Sequence, residues 1–330
     1  MLLMKKIMFA LAAVLALVGT VFALGNREYR RTDFLMDTVV TVRARGFGAR
    51  GAADAALARA REVEAQCSAY LDNSQVFRLN QTGSATLTGD ALAVMEIAAA
   101  VWDKSGGAFD PAVKALVDLW DVNGGGRVPD AISVREALSC SGWDKVDFSP
   151  QTGKITLLHG AGVDLGGVAK GYAADVARDV LEQRGITSAL IDFGGNIYAL
   201  GKNGTSPWRV GLRDPDGNQG DYFGTVEVCD RAVVTSGAYE RFFEQDGQIY
   251  HHILDPKTGA PAKSGLKSVT VIAPSSGLAD ALATAVYVMG ADAGLELIAG
   301  LPDVEAVLMC EDGSVVATDG ANFVENIPAR

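Results

Sequence analysis

The sequence has 330 residues, of which 48% are hydrophobic and 21% charged, and its formal net charge at pH 7 is -11. This composition is typical of a globular protein with a sizeable core, and the length allows one large domain or two modest ones. Nucleic acid is an unfavourable partner, because no basic surplus is available to neutralise its phosphates. A negatively charged small ligand would need local basic groups or a metal ion.

The first 25 residues have the pattern of an export signal. Lys5 and Lys6 precede an apolar run that extends to about Gly25, as in the charged and apolar regions of a secretory signal. The run is almost long enough to span a bilayer uncleaved. We therefore predict a signal peptide or a retained N-terminal membrane anchor at 1–25. The body is expected to be exported, in a periplasmic or extracytoplasmic location, with attachment to the inner membrane if the anchor is retained.

The four cysteines, Cys67, Cys140, Cys229 and Cys310, are far apart in the sequence. They form no CxxC pair and no zinc-binding spacing. Their even number permits disulfides in an oxidising compartment. Four separate, partly buried thiols are an equally good interpretation.

The remaining chain alternates between patterns of helix and strand. The predicted elements in chain order are a strand at 36–46, helices at 52–71, 88–107 and 130–142, a hairpin at 145–160, a helix at 167–185, a buried strand at 188–201, mostly strands at 208–276, a helix at 277–290 and a final α/β stretch. The segment 121–130 is typical of a loop. No repeat or long linker interrupts the pattern, so we predict a mixed α/β (α+β) fold in a single compact body.

The stretch "VDLGGVAKGYAAD" (163–175) has a strand end, two glycines and a helix start. The exposed N–H groups of a helix start favour an anion such as phosphate, and Lys170 would add a positive charge. A tight turn with a surface lysine is the alternative interpretation, because two adjacent glycines do not form a Walker or Rossmann pattern.

In "ADALATA" (279–285), Asp280 and Thr284 are four residues apart and share one face of a helix. A carboxylate and a hydroxyl are hard oxygen ligands that suit Mg²⁺. The alternative is structural, because an aspartate in the first turn complements the helix dipole.

Two of the three histidines, His251 and His252, are adjacent in a predicted strand. Neighbouring side chains of a strand point to opposite faces, so at most one of them faces a given site. One histidine facing a cleft would be a candidate general base. The alternative is one exposed and one structural histidine, and the periodicity does not choose between the two positions.

Glycine pairs also lie beside Asp110 and Asn196, in "SGGAFDPAV" and "DFGGNIYALG". Small residues let a ligand approach the backbone closely, and they also form ordinary tight turns. Together, these motifs indicate metal-assisted chemistry on a phosphate-bearing small molecule.

Five ordered blocks resemble the ApbE family of FAD:protein FMN transferases, formerly described as thiamine biosynthesis lipoproteins. The blocks are "DLGGVAKGYAAD", "DFGGNIYALG", "VTSGAYERFF", "HHILDPKTGAP" and "SVTVIAPSSGLADALATAVYVMG". The similarity extends from about Met36 to Gly290. It implies an ApbE-like, or T-fold-like, catalytic body at 32–330.

The resemblance implies that FAD is a substrate whose pyrophosphate is split in the presence of Mg²⁺. FMN would be transferred to a threonine or serine hydroxyl of an exported or membrane flavoprotein, with release of AMP. The family's acceptors include subunits of Na⁺-pumping quinone reductase and Rnf-type complexes. Two alternatives remain: an Mg²⁺-dependent FAD pyrophosphatase that yields FMN and AMP, and a flavin-binding protein without turnover.

The resemblance also assigns site residues by position. Asp280 and Thr284 match side-chain metal ligands, and main-chain oxygens near Gly167 and Ala283 would complete the shell. His252, rather than His251, matches the family histidine, the expected base for the incoming hydroxyl. The positions that match FAD-binding residues are Met36, Tyr70, Ala108, Phe109, Asp110, Asp164, Lys170 and Leu254.

The sequence departs from the family pattern in three places. The segment "TVFALGN" has no cysteine after the apolar run, so a lipid anchor is not expected. Asp37 replaces a glycine that is common in the first strand. Ala238 stands where an aspartate is frequent.

Overall fold

The computed structural model describes Phe9, 27–218 and 220–326. Apart from Phe9, the predicted leader at 1–25 lies outside the described residues. Within the described residues, no helix combines the length and the apolar character needed to cross a membrane.

The chain folds into strands and helices that alternate along the sequence. The strands are β1 (Glu28–Leu35), β2 (Thr38–Arg45), β3 (Ser84–Thr86), β4 (Val146–Ser149), β5 (Lys154–Leu157), β6 (Ser188–Phe193), β7 (Asn196–Gly201), β8 (Trp208–Arg213), β9 (Tyr222–Val228), β10 (Arg231–Gly237), β11 (Phe242–Gln245), β12 (Gln248–His251), β13 (Leu266–Ala273), β14 (Glu305–Cys310), β15 (Val315–Ala317) and β16 (Phe323–Glu325). The helices are α1 (Ala49–Cys67), α2 (Gln75–Thr82), α3 (Gly89–Lys104), α4 (Lys114–Trp120), α5 (Ala131–Ser139), α6 (Gly166–Gln183), α7 (Ser276–Met289) and α8 (Ala291–Ala299).

An eight-stranded antiparallel sheet in the order β1-β2-β6-β7-β10-β13-β14-β15 forms the centre of the fold. The main core lies on one face of this sheet, against α1, α3, α6 and α7. Alternate residues of the strands, such as Val40, Ile191 and Val269, are fully buried there. The predicted mixed α/β body is confirmed.

A second core lies on the opposite face, which we call the outer face of the sheet. There Val233 and Ile272 pack against Trp208, Leu212 and the other apolar residues of a three-stranded sheet. That sheet has the order β16-β9-β8. Both faces of the central sheet are therefore covered over part of their area, which explains the near-continuous apolar runs of its strands.

The structure corrects two predictions about the strands. The segment 188–201 is a hairpin of β6 and β7 rather than one strand, because Gly194 and Gly195 both have positive φ (64° and 96°) and form the two-residue turn. Strand β1 (Glu28–Leu35) was not predicted, and the predicted strand at 36–46 corresponds to β2 (Thr38–Arg45). The predicted hairpin at 145–160 and the loop at 121–130 are confirmed.

Candidate active site

Nearly all the predicted site residues line one cleft of about 690 Å³. They are Met36, Tyr70, Ala108, Phe109, Asp110, Asp164, Gly167, Lys170, His252, Leu254, Asp280 and Thr284. Ala283 is fully buried in α7 beside Thr284, so only its main-chain oxygen could contribute to a metal site. The structure thus brings together residues that are up to 248 positions apart in the chain.

Close packing of α6 on α7 builds the centre of the cleft. A Cβ atom at Gly171 would collide with the main chain of Ser276, and one at Gly277 would lie 3.2 Å from the Tyr172 nitrogen. Only small residues allow this approach. As a result, Lys170 Nζ lies 3.7 Å from Asp280 Oδ2.

Asp280 and Thr284 supply a hard oxygen site at this crossing. The Asp280 carboxylate is 4% exposed and accepts a hydrogen bond of 3.0 Å from the Gly171 N–H. Thr284 Oγ1 lies 3.4 Å from Ser236 Oγ. A Cβ atom at Gly167 would lie 3.9 Å from the same Thr284 oxygen, so the backbone of α6 passes close to the hydroxyl.

This donor set fits Mg²⁺, which takes oxygen ligands and usually retains water or phosphate oxygens in its shell. Among the described residues, no group of three His, Cys, Asp or Glu side chains is arranged to hold a metal ion. A cation here would therefore depend on Asp280, the Thr284 hydroxyl, main-chain oxygens and the substrate itself.

His252 lies just beyond the end of β12 and is held in one orientation. Its Nδ1 is 3.2 Å from the main-chain oxygen of Arg241, which also accepts from the His252 N–H at 3.1 Å. Because a carbonyl oxygen only accepts, we assign the proton to Nδ1, and Nε2 keeps its lone pair. Burial, with smaller effects from Lys170 and Arg241, lowers the pKa of His252 to about 4, so the ring is neutral at pH 7.

His251 faces away from the cleft. It is 8% exposed, with its ring edge-on to Tyr287 and its Nε2 3.1 Å from the Ala262 carbonyl oxygen. Burial lowers the pKa of His251 as well. The expectation of opposite faces is confirmed, whereas the alternative with one exposed histidine is wrong.

Asp164 and Tyr70 form one wall of the cleft. Asp164 accepts from the Tyr70 hydroxyl at 3.0 Å and from the Gly166 N–H at 2.8 Å. The Asp164 carboxylate thus already uses one of the free N–H groups at the start of α6, where we expected an anion to bind. Lys114 Nζ lies 4.6 Å from the centre of the Tyr70 ring. The ring is exposed to solvent, but desolvation of the hydroxyl and the neighbouring Asp164 carboxylate raise the pKa of Tyr70.

The segment with Ala108, Phe109 and Asp110 also lines the cleft. The Asp110 carboxylate accepts from the N–H groups of Ala112 (2.7 Å) and Trp143 (2.9 Å). Burial raises the pKa of this carboxyl. Asp110 therefore holds the loop in shape, and its side-chain oxygens are already engaged.

Met36 and Asp37 form the turn between β1 and β2 at the edge of the cleft. Both have positive φ (53° and 56°), as in a type I′ turn. This conformation explains why glycine is common at the second position, and aspartate is among the residues that tolerate it. The Met36 N–H donates to Glu64 at 2.9 Å, which anchors the turn to α1.

Several cleft residues were not predicted from the sequence, notably Arg213, Tyr239, Glu240 and Arg241. Solvent reaches Glu240 through the cleft, yet the surrounding walls desolvate its carboxyl and raise its pKa to about 7. Three of these residues lie in the motif "SGAYERFF". Polar residues inside a predicted strand were the feature of the sequence that could have identified them. The structure offers no account of Ala238, which packs partly buried against the main core.

Asp175, also not predicted, ties α6 to the start of α7. It is 7% exposed and accepts from Ser276 N (2.8 Å), Gly277 N (2.9 Å) and Ser275 Oγ (2.8 Å). It therefore satisfies free donors of the helix that carries Asp280. All four cysteines are free thiols.

Comparisons with known proteins identify the family to which the chain is similar. The ApbE family matches residues 36–308. The FAD:protein FMN transferase of Treponema pallidum (strain Nichols) is 40% identical over 320 residues, covering 89% of this chain and 88% of the relative. The FAD:protein FMN transferase of Klebsiella pneumoniae (strain 342) is 34% identical over 248 residues, covering 74% of this chain and 77% of the relative.

Two solved structures share the fold. The ApbE protein from Thermotoga maritima has a TM-score of 0.82 and 33% identity, with coverage of 89% of this chain and 97% of that one. The flavin transferase ApbE from Vibrio cholerae has a TM-score of 0.78 and 27% identity, again with coverage of 89% and 97%. The fold and the cleft define an enzyme of the transferase class. The chain belongs to the ApbE family.

Proposed function

We propose that this protein transfers FMN from FAD to a threonine or serine hydroxyl of an exported or membrane flavoprotein and releases AMP. The observation that carries the proposal is the position of His252, whose neutral ring faces the same cleft as Lys170, Asp280 and Thr284. Relatives that cover most of this chain are FAD:protein FMN transferases.

The residues of the cleft fit the demands of phosphoryl transfer, which depends on positioning and charge neutralisation. His252 Nε2 would accept the proton of the attacking hydroxyl, while the Arg241 carbonyl keeps the ring in the required tautomer. The negative charge of a bound phosphate would raise the basicity of this ring. A positioned base of this kind contributes about 10²–10⁴-fold to the rate.

Lys170 would compensate phosphate charge, which matters in a protein of net charge -11. Its ammonium donates to the Gly166 oxygen at 3.1 Å and so points toward the start of α6. Mg²⁺ held by Asp280 and Thr284 would supply Lewis-acid stabilisation of the leaving group and of the attacked phosphate. The exposed Tyr70 ring is available to pack against a flavin or adenine face.

The acceptor that fits the family resemblance is a flavoprotein subunit of a Na⁺-pumping quinone reductase or Rnf-type complex, or a related exported flavoprotein. The apolar leader at 1–25 supports an extracytoplasmic location. Attachment to the inner membrane would follow if the leader is retained.

The test incubates the purified protein with FAD, Mg²⁺ and an exported flavoprotein domain that carries a candidate threonine. The intact mass of the acceptor should increase by one FMN phosphoester, and AMP should appear in equal amount. FMN and AMP without any mass gain would instead identify the protein as an FAD pyrophosphatase. AMP release that persists after chelation of the metal would contradict the role of Mg²⁺.

A further inference from the structure

The cleft extends beyond the residues that match FAD-binding positions. Its continuation, which we call the outer lobe, lies between the outer face of the central sheet and β8. The lobe is lined by Ile197, Leu212, Arg213, Val233, Thr235 and Tyr239. None of the eight positions matched to FAD lies in it.

The outer lobe is apolar at its base and polar at its inner end. Ile197 and Val233 are directly opposite each other on β7 and β10, and both pack with Leu212. Thr235 follows on the same face of β10, and the next residue, Ser236, contacts the Thr284 hydroxyl at 3.4 Å. Ser236 and Thr284 lie on the other face of the sheet, but they line the same cleft as the lobe, which therefore opens to the oxygen site where the phosphates would bind.

An exposed apolar pair lies on the same face of the sheet as the lobe, near the turn between β1 and β2. Phe34 and Val39 are a cross-strand pair on β1 and β2, and they are 67% and 58% exposed. The pairing of Thr41 with Asp192, and of Asp192 with Ile197, puts Val39 on the same face of the sheet as Ile197. Thr41 and Asp192 lie between Val39 and Ile197, so the exposed apolar pair shares the face of the lobe and is separated from its apolar base by two polar side chains.

In-line phosphoryl transfer determines the side of the phosphorus from which the second substrate, the acceptor hydroxyl, approaches. The attacking and leaving oxygens lie on opposite sides of the phosphorus, so the hydroxyl cannot arrive through the space that the AMP moiety occupies. The eight positions matched to FAD, among them Tyr70, Asp110 and Met36, line the cleft outside the outer lobe. The outer lobe is a part of the same cleft in which no matched position lies.

We propose that the outer lobe, together with Phe34 and Val39, binds the acceptor flavoprotein through an extended, mainly apolar segment next to its acceptor hydroxyl. This inference rests on the proposed function and names the surface that selects its protein substrate. The apolar wall would hold side chains of the segment, and Thr235 at the inner end would lie beside the hydroxyl that reaches His252. Exposed aromatic and aliphatic side chains next to a cleft are typical anchors for a partner.

The test compares the double variant Phe34→Ser/Val39→Ser with Ile132→Ser, which alters a similarly exposed apolar residue (61%) on α5 outside the cleft. In the transfer assay, the concentration of FAD and the concentration of the flavoprotein domain are varied in turn. We expect the double variant to raise the KM for the acceptor about tenfold or more, with kcat and the KM for FAD within twofold of wild type. The Ile132 variant should behave as wild type.

A second variant, Thr235→Leu, narrows the lobe from inside and should reduce transfer while FAD binding is retained. An unchanged KM for the acceptor in the double variant would overturn the inference. Loss of FAD binding by Thr235→Leu would also overturn it, because the flavin ring would then occupy the lobe. Absence of transfer by the wild-type protein would instead refute the proposed function, so the two failures are distinguishable.

Discussion

The most informative perturbation is the replacement of Asp175, because this buried carboxylate joins the two helices of the oxygen site. Asp175→Ala leaves Ser276 N, Gly277 N and Ser275 Oγ without their acceptor. A buried donor without a partner costs about 1–3 kcal/mol. Burial raises the pKa of Asp175, so removal of its desolvated charge offsets part of the loss.

We expect the free energy of unfolding to fall by about 3–4 kcal/mol, near the lower limit for breaking a buried charged pair. At roughly 2–4 °C per kcal/mol for a chain of this size, the melting temperature should decrease by about 10 °C. The start of α7 should also become less ordered. The Mg²⁺ concentration at half-maximal activity should therefore rise, while kcat recovers at saturating Mg²⁺.

The matched control is Asp179→Ala, one turn further along α6. Asp179 pairs with Arg178 just as Asp175 does, but its side chain is 49% exposed, and the hydrogen bonds that it accepts come from Arg178. This variant should change the free energy of unfolding by no more than about 0.5 kcal/mol. Thermal unfolding and Mg²⁺ titrations of both variants check the prediction. Equal melting temperatures, or an unchanged Mg²⁺ response in Asp175→Ala, would refute the argument that Asp175 positions α7.

The remaining predictions concern the cleft itself. His252→Ala should reduce transfer by about 10²–10⁴-fold with little change in FAD binding, whereas His251→Ala should reduce transfer much less. Steady-state kinetics of both variants test this, and the reverse ranking would show that His251 is the catalytic histidine. Asp280→Ala should abolish Mg²⁺-dependent turnover while circular dichroism still reports a folded protein, and full activity would exclude the metal assignment. Because the pKa of His252 in the free protein is lowered to about 4, the base stays unprotonated as the pH falls from 7 to 5.5, so kcat/KM for FAD, which reports the free enzyme, should not decrease there as it would for an ordinary histidine; a decrease with an apparent pKa near 6.5 would contradict this. The unfolded chain takes up a proton on this ring below pH 6.5 and the folded one does not, so His252 should lower stability as the pH falls from 6.5 toward 4, which urea unfolding at several pH values would measure.

Periodicity located most elements because burial of one face imposes a repeat on the sequence. The helices around Asp280 and Lys170 and the hairpin at 145–160 were predicted in this way. The turn at Gly194 and Gly195 was missed, because both flanking strands are buried and the apolar run continues through the turn. Likewise, β1 is largely polar and follows the leader, so its alternation was weak.

The candidate site residues could be named from the sequence because they lie in short motifs whose order and spacing match those of the family. Local spacing did not reveal that Asp175 binds the start of α7 a hundred residues later, or that Arg241 orients His252. These contacts depend on how helices and hairpins pack across the sheet.

The sequence by itself determined the fold class, the family resemblance and the pair Asp280 and Thr284, because these depend on side chains close together in the chain. Only the tertiary structure decided the environment of each group. It put His252 in the cleft and His251 in the core, since strand pleating separates neighbours and packing selects which face is buried. It also joined the outer lobe to the phosphate end of the cleft, because strands distant in sequence are adjacent in the sheet.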